Sequence, residues 1–408
     1  MRHHLPVLLL VVGLVIVTGC ISMGSSSPGA TEDWPDFVRN ASVIKLDPNG
    51  TVEWQTLVSL GRDTTPSAVE PMPDGTVILA GTTVPDEGNF SPPRPFVAML
   101  DANGSILWNR TLPPTLGLEA TGAAPAPDGG LTVTGSYRNV LHLDADGTVQ
   151  WERALLDWTA LRTILPDASG GYLIGGVAHG VAAVARLDGT GQVIWSTAFG
   201  DFEGAYAERI LPLASGGFAV AGTAMSGNQI PSSVWIARLN GDGTVLWGRM
   251  VEEGGRTVPG IIWDISDLWE AYGEIGLVYE VIRPGQDGNC ETITATFGQK
   301  GTLSDRRTLD AFTPVLRSPD GGFTFAAFPR EENGWFYYGN VLHIVELDET
   351  GAVIRDTSID LVEGSQTGPF VRTGDGGYLL VVTHGPAGGM AYPSGGGSSA
   401  VGIAFRRN

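Results

Sequence analysis

One pattern recurs down the chain and constrains its fold more than any other feature: an apolar run, then Leu-Asp-x-x-Gly, then a second apolar run ending in tryptophan. It reads Leu46-Asp47-x-x-Gly50-x-x-x-Trp54, then Leu100-Asp101 with Gly104 and Trp108, and Leu143-Asp144 with Gly147 and Trp151. Further copies stand at Leu187-Asp188 with Gly191 and Trp195, at Leu239-Asn240 with Gly243 and Trp247, and at Leu347-Asp348 with Gly351, with a degenerate one at Phe297-Gly298 and Gly301. The copies begin 43 to 58 residues apart. That period is too long for leucine-rich or ankyrin units and suits the blades of a propeller.

Each copy reads as two hairpins. Alternating apolar runs such as 96–100 and 105–108 flank the Leu-Asp-x-x-Gly turn, where Asp, Asn and Gly supply positive-φ positions. A second set of turns alternates with the first, at Pro73-Asp74-Gly75, Pro127-Asp128-Gly129-Gly130, Pro166-Asp167, Ser215-Gly216-Gly217, Pro319-Asp320-Gly321-Gly322 and Asp375-Gly376-Gly377. No apolar stripe of period 3.6 follows residue 30, so helices are expected to be nearly absent. Four short strands repeated about seven times cannot bury their faces singly; radial stacking covers both faces and protects the edges. The expectation is an all-β β-propeller of four-stranded antiparallel blades. A β-solenoid or two sandwiches would show a shorter period or a mid-chain linker.

The chain opens on an isolated second hairpin, residues 43–55, and ends on a first hairpin, residues 370–383, with six whole blades between. N- and C-terminal strands are therefore expected to close the ring, giving seven blades. Residues 401–406 mimic the strand 234–238 and compete with 43–46 for one place in the closing blade, which keeps eight as the alternative.

These residues also carry a resemblance. The repeat resembles the quinoprotein-like (PQQ-like) propeller repeats, in which a comparable tryptophan docks one blade on the next, and the likeness covers residues 41–408. It implies a docking role for Trp54, Trp108, Trp151, Trp195 and Trp247; the last two copies have Asp305 and Arg355 there and must dock differently. Turn strings such as 318–323 are similar to those of uncharacterised archaeal and bacterial surface lipoproteins. For the quinoprotein dehydrogenases the resemblance would imply an adjacent cysteine pair, a calcium ion and an aspartate base. This chain has only Cys20 and Cys290, so no such pair exists.

The N-terminus carries an address. Arg2 precedes an apolar run over 5–17, too short to span a hydrocarbon core and suited to a signal peptide. Val17-Thr18-Gly19-Cys20 has the order of a lipobox, which makes Cys20 the expected lipidation site. The expected organisation is a lipoprotein signal peptide over 1–19, a flexible tether over 20–40 and a single propeller domain over 41–408. Such a protein would sit as a monomer on the extracytoplasmic side of the cell membrane.

Charge excludes one class of partner. Acidic side chains outnumber basic ones 44 to 24, a net charge of −20, so the basic surface that nucleic acid requires is missing. No catalytic constellation is legible. Asp144-Ala145-Asp146-Gly147 and Asn240-Gly241-Asp242-Gly243 read as turns rather than calcium loops, because the later bidentate Glu is absent. His142, His179, His343 and His384 lie far apart, without metal-ligand spacing. No metal and no cofactor are expected. Sequons at Asn40, Asn49, Asn89, Asn103 and Asn109 crowd the first quarter.

The short turns should load one face of the disc with aspartates, leaving long connections on the other at 83–95, 199–207, 225–233, 283–290, 329–340 and 384–399. One enlarged turn, 264–274 with Trp269 and Tyr272, should interrupt the acidic face. The long-loop face is the expected place for binding. There Trp335, Phe336, Tyr337 and Tyr338 form a run that either props the blades lacking tryptophan or offers an aromatic platform. The expected function is a non-enzymatic scaffold for a protein or glycan partner. The alternatives are a quinone- or metal-dependent oxidoreductase and a membrane-associated assembly factor.

Overall fold

A computed structural model describes residues 38–86, 91–225, 231–252, 261–282, 290–312, 314–329, 335–336 and 338–385. The described residues form one compact unit. The fold is an all-β propeller; among the described residues the only helical turn is a 3₁₀ turn at Pro114–Leu116.

Five sheets have four antiparallel strands each. The first comprises β3 (Asp63–Pro71), β4 (Val77–Val84), β5 (Arg94–Leu100) and β6 (Ile106–Thr111). The second holds β7 (Ala120–Pro125), β8 (Leu131–Gly135), β9 (Asn139–Leu143) and β10 (Val149–Ala154), and the third β11 (Trp158–Pro166), β12 (Tyr172–Ala178), β13 (Val181–Leu187) and β14 (Val193–Glu203). The fourth holds β15 (Arg209–Pro212), β16 (Phe218–Met225), β17 (Pro231–Leu239) and β18 (Val245–Glu252), and the fifth β19 (Ile261–Ala271), β20 (Glu274–Ile282), β21 (Cys290–Phe297) and β22 (Leu303–Leu309).

The sixth sheet joins both ends of the described chain. Its order runs from β2 (Val52–Val58) through β1 (Asn40–Leu46), β28 (Tyr378–His384), β27 (Val353–Arg372) and β26 (Tyr338–Leu347) to β24 (Phe323–Pro329) and β23 (Val315–Arg317), with β25 (Trp335–Phe336) paired beside β24. The 20-residue β27 is shared: its first half pairs with β26 and its second with β28. The sheet therefore divides at β27 into two four-stranded units, and the N-terminal β1 and β2 supply the outer half of the second. The first strands follow one another in a closed succession, each touching the next from β3 to β7, β11, β15, β19, β23 and β27, which touches β3 again.

What joins neighbouring sheets is written in the repeat. The Trp54 indole N–H donates to the Ala102 carbonyl of the next sheet at 3.0 Å, Trp108 to Ala145 at 2.8 Å, and Trp247 to Gln299 at 2.9 Å. The turn glycine lies under the ring: a Cβ on Gly104, whose φ is +84°, would stand 2.5 Å from Trp54 Cε3. Trp151 and Trp195 cover Gly191 and Gly243 in the same way. The glycine thus serves twice, for its left-handed backbone and for its missing side chain. Where the tryptophan is absent, Arg355 reaches the Pro48 carbonyl at 3.2 Å and Asn49 Oδ1 at 3.1 Å, so a guanidinium spans the gap between β27 and the first turn of the chain. At the Asp305 position, Leu309 faces Gly351 instead.

The seam between the chain ends holds one of the protein's two lysines. Lys45 Nζ donates to Asp375 Oδ2 at 2.8 Å and to the Leu46 carbonyl at 3.0 Å, while Lys45 itself is buried. The bond to Lys45 holds the Asp375 carboxyl far below the usual range. Because folding lowers this pKa, the gain is complete above the unfolded value and is lost as pH falls beneath it. Lys45→Met is therefore expected to cost about 1 kcal/mol at neutral pH, given that Asp375 is half exposed. The difference should shrink below about pH 4. Denaturant unfolding at pH 7 and pH 3 checks this; an unchanged difference at pH 3 would contradict it.

Two expected loops are corrected. Residues 264–271 are not part of an enlarged turn but continue β19, which meets β20 through the two-residue turn Tyr272-Gly273, with φ of 51° and 79°. Ile265 and Leu268 are buried on it, so the segment earns its place as a strand by packing. Residues 199–203 likewise belong to β14, where Phe199 and Phe202 each pack 4.9 Å from the buried Trp235 ring.

Candidate functional site

The succession of first strands surrounds an axis, and several charged side chains collect there. Glu70 comes from β3, Arg162 from β11, Glu208 from just before β15, Arg209 from its first position, and Asp264 and Asp267 from β19. The first, third, fourth and fifth sheets all contribute. Glu70 and Arg209 belong to sheets that are not neighbours, yet their charges interact. That requires them to face each other across the ring.

A recurring irregularity shapes these strands. The register slips by one residue at Ser67 in β3, Thr121 in β7, Arg162 in β11 and Ser266 in β19. Such bulges bend a strand, increase its twist and re-aim a side chain. Arg162 occupies in β11 the place that hydroxyls hold in the other three. Its guanidinium lies 4.8 Å from the Tyr206 ring centroid.

Arg209 organises the carboxylates. Its Nη2 is 3.9 Å from Asp264 Oδ1, and its charge also acts on Glu70, Glu208 and Asp267. Glu208 accepts the Thr223 hydroxyl at 2.7 Å, and Asp267 accepts the backbone N–H groups of Arg317 and Leu268 at 2.7 and 2.8 Å. Burial nonetheless dominates. It pushes Glu70 up to about 7 and Asp264 and Asp267 to about 6, and it raises Glu208 as well. Desolvation penalises the charged form more than one arginine relieves it. The axis therefore holds protons at mildly acidic pH and becomes more negative as pH rises through 6 and 7. Perturbed carboxyls of this kind gather at functional sites more often than elsewhere.

The aspartates of the short turns bond the backbone of their own turns. Asp144 Oδ1 accepts the N–H groups of Asp146 and Thr148 at 3.0 and 2.9 Å, and Asp101 accepts those of Asn103 and Ser105. The same bonding lowers Asp47, Asp188 and Asp348. The histidines are dispersed. His142 stacks on Trp151 and bonds Asp128 at 3.0 Å, His343 bonds Asp356 at 2.7 Å, and His179 stands exposed at φ 51°. Among the described residues no group of three or more His, Cys, Asp or Glu could hold a metal ion.

The long-loop face is only partly described. Residues 87–90, 226–230, 283–289, 330–334 and 386–408 lie outside the described residues, as do Tyr337 and Cys20. Trp335 and Phe336 pair through their backbones with Pro329 and Phe328, and Tyr338 pairs with Gln366. The sequence reading missed the axial cluster altogether. Its signal was available in charged residues interrupting apolar first strands, as in β19, Ile-Ile-Trp-Asp-Ile-Ser-Asp-Leu.

No family model matches the chain, and no curated protein matches it. Solved structures do. A catalytically inactive virginiamycin B lyase from Staphylococcus aureus, crystallised with quinupristin, is 10% identical with a TM-score of 0.51, covering 84% of this chain and 99% of that one. A Lactobacillus plantarum protein is 11% identical with a TM-score of 0.51, covering 80% and 98%. The Pan2 WD40 domain of Neurospora crassa is 12% identical with a TM-score of 0.50, covering 79% and 89%. At these identities the likeness concerns the fold alone.

Proposed function

We propose that the protein is a seven-bladed propeller, tethered to the extracytoplasmic side of the membrane through Cys20, that serves as a binding scaffold for another protein. The observation that carries this reading is the axial cluster. Four carboxyls and two arginines from four sheets lie within electrostatic reach of one another where the repeat needs no charge, and gathering like charges in a part-buried space costs stability. The seven-fold count rests on five sheets plus the two units that share β27. The aromatic run at Trp335, Phe336, Tyr337 and Tyr338 is a second recognition surface in this reading, open to a protein or a glycan.

A photo-crosslinking residue in place of Tyr206, beside Arg162, tests the axial site in the native cell. The expected result is an adduct of defined mass that disappears when Arg209→Leu is added. An adduct formed equally well from position 272, in the β19–β20 turn and almost fully exposed, would contradict it. The anchor has its own test. Cys20→Ser should release the protein from membranes or leave it unprocessed, whereas unchanged partitioning with normal processing would refute lipidation.

A further inference from the structure

The sheet built from both chain ends carries a hydrogen-bonded polar row across four strands. Strands β2, β1, β28 and β27 lie side by side, and their register sets Leu57 opposite Ser42, Ser42 opposite Val382, and His384 opposite Ser365. Residues two apart on a strand share a face. Gln55 therefore joins Leu57, His384 joins Val382, and one polar row crosses four strands: Gln55, Ser42, His384, Ser365. Farther along the same face stand Ile44, Leu46, Leu380 and Val382, part of an apolar core cluster. The register makes Ser42 the counterpart of Phe96, Ala183, Trp235 and Ile293, all buried and apolar, and of Asn139 and His343, which are polar. Four of the six other copies solve this position with an apolar residue, and at Ser42 a buried hydroxyl stands there instead.

The row is wired in one direction. The Ser365 hydroxyl donates to the Val362 carbonyl at 2.7 Å, leaving its oxygen to accept from His384 Nδ1–H at 2.9 Å. His384 is then the Nδ1–H tautomer, and its Nε2 accepts the Ser42 hydroxyl at 2.7 Å. Gln55 Nε2–H donates to the Ser42 oxygen at 3.1 Å. Burial lowers the His384 pKa, which keeps the imidazole neutral and able to accept. Between Asp360 and Ser365, β27 makes an excursion, since Asp360 pairs with Val341 and Ser365 with Gly339, only two residues apart. The excursion walls a groove of about 450 Å³, with Ser42, Gln55, His384 and Asp360 as its polar lining and Leu57, Leu361 and Val362 as its apolar lining.

We propose that Ser42 is a nucleophile toward small carboxylic esters, with His384 as its general base and Ser365 as the residue that positions that base. A hydroxyl bonded to a base that a third group orients is the arrangement acyl transfer needs. The Ser42 oxygen bonds to the acyl carbon while its proton passes to His384 Nε2; the ester C–O bond breaks, and the departing alkoxide takes that proton. Water then attacks the acyl group, again giving a proton to Nε2, and Ser42 recovers it as the acid leaves. Gln55, already bonded to the Ser42 oxygen, brings a second amide N–H to the same spot for the developing oxyanion. Ser42 is 2% exposed, so substrate enters only through the groove, and its apolar wall receives a short acyl chain.

A fluorophosphonate probe tests this on the intact protein, forming a bond from the serine oxygen to phosphorus with loss of fluoride. Mass spectrometry should map the adduct to Ser42 in the folded wild-type protein and find none there when the protein is unfolded before labelling. Ser42→Ala should abolish it, and His384→Gln should slow labelling about a hundredfold. Ser365→Ala should slow it as well, whereas Ser365→Thr, which keeps the hydroxyl, should restore it. Hydrolysis of p-nitrophenyl acetate should follow the same order. Melting curves of the variants separate lost chemistry from lost folding, and the wild-type adduct depends on no variant. Absence of an adduct on Ser42 in the folded wild type, or a rate unchanged by His384→Gln in a variant that melts normally, overturns the proposal and leaves the row as a hydrogen-bonded seam.

Discussion

Arg209→Leu is expected to destabilise the protein by about 2 kcal/mol at pH 8, less than removing one partner from a fully buried charge pair costs, because the arginine side chain is 26% exposed. The change leaves Glu70, Glu208, Asp264 and Asp267 without the cation that acts on all four. The cost should fall to a small fraction at pH 5. There Glu70, at about 7, and Asp264 and Asp267, at about 6, are mostly neutral and lose little with the arginine. The wild type carries the same sign. Carboxyls whose pKa is raised by folding stabilise most below their unfolded pKa, and that contribution is lost as pH rises through 6 and 7. The turn aspartates oppose it, their contribution fading only in more acidic solution. Denaturant unfolding of both proteins at pH 5 and pH 8 decides the matter; an equal cost at both would mean that the cluster is solvated.

Trp247→Ala should be the most damaging change in the repeat, at about 3–5 kcal/mol. Trp247 is 8% exposed, packs 6.2 Å from the Phe297 ring and lies over Gly301, so its loss opens a cavity between the fourth and fifth sheets and leaves the Gln299 carbonyl with the Arg238 guanidinium as its one remaining side-chain donor. Trp108→Ala should cost less, because that ring is only half-buried and water can replace much of the contact. Urea midpoints for the two variants measure the difference. Equal costs would mean that the indole hydrogen bond, common to both, outweighs burial.

The turns and hairpins were legible because their causes are short-ranged. Asp at the first turn position and Gly at the fourth bond within five residues, as at Asp47 to Thr51 and Asp348 to Ala352, and nothing distant is needed to form them. The pairing of both ends was legible by counting hairpins, since β1 and β28 are the two halves of one repeat. The axis was not. A period of two marks which residues share a face but not whether that face looks to a neighbour or to the centre, and Glu70 meets Arg209 only once the ring has closed. Residues 264–274 misled because Asp, Ser, Gly and Glu are turn formers, while register with β20 and the burial of Ile265 and Leu268 decided for strand. The partner of Arg355 was hidden for a related reason, lying more than 300 residues away. Ser42, Ser365 and His384 share no local pattern at all and meet only where strands from opposite ends of the chain pair.

A difference proton titration tests the central claim, that the axis holds carboxyls of raised pKa around Arg209, most directly. Wild-type protein is compared with the Glu70→Gln, Asp264→Asn, Asp267→Asn triple variant between pH 8 and pH 5, with both shown to be folded throughout. Midpoints near 7 and 6 predict that the wild type takes up between about two and three more protons than the variant over that interval. Equal uptake would place all three groups near pH 4, as solvated surface carboxyls, and would contradict the account.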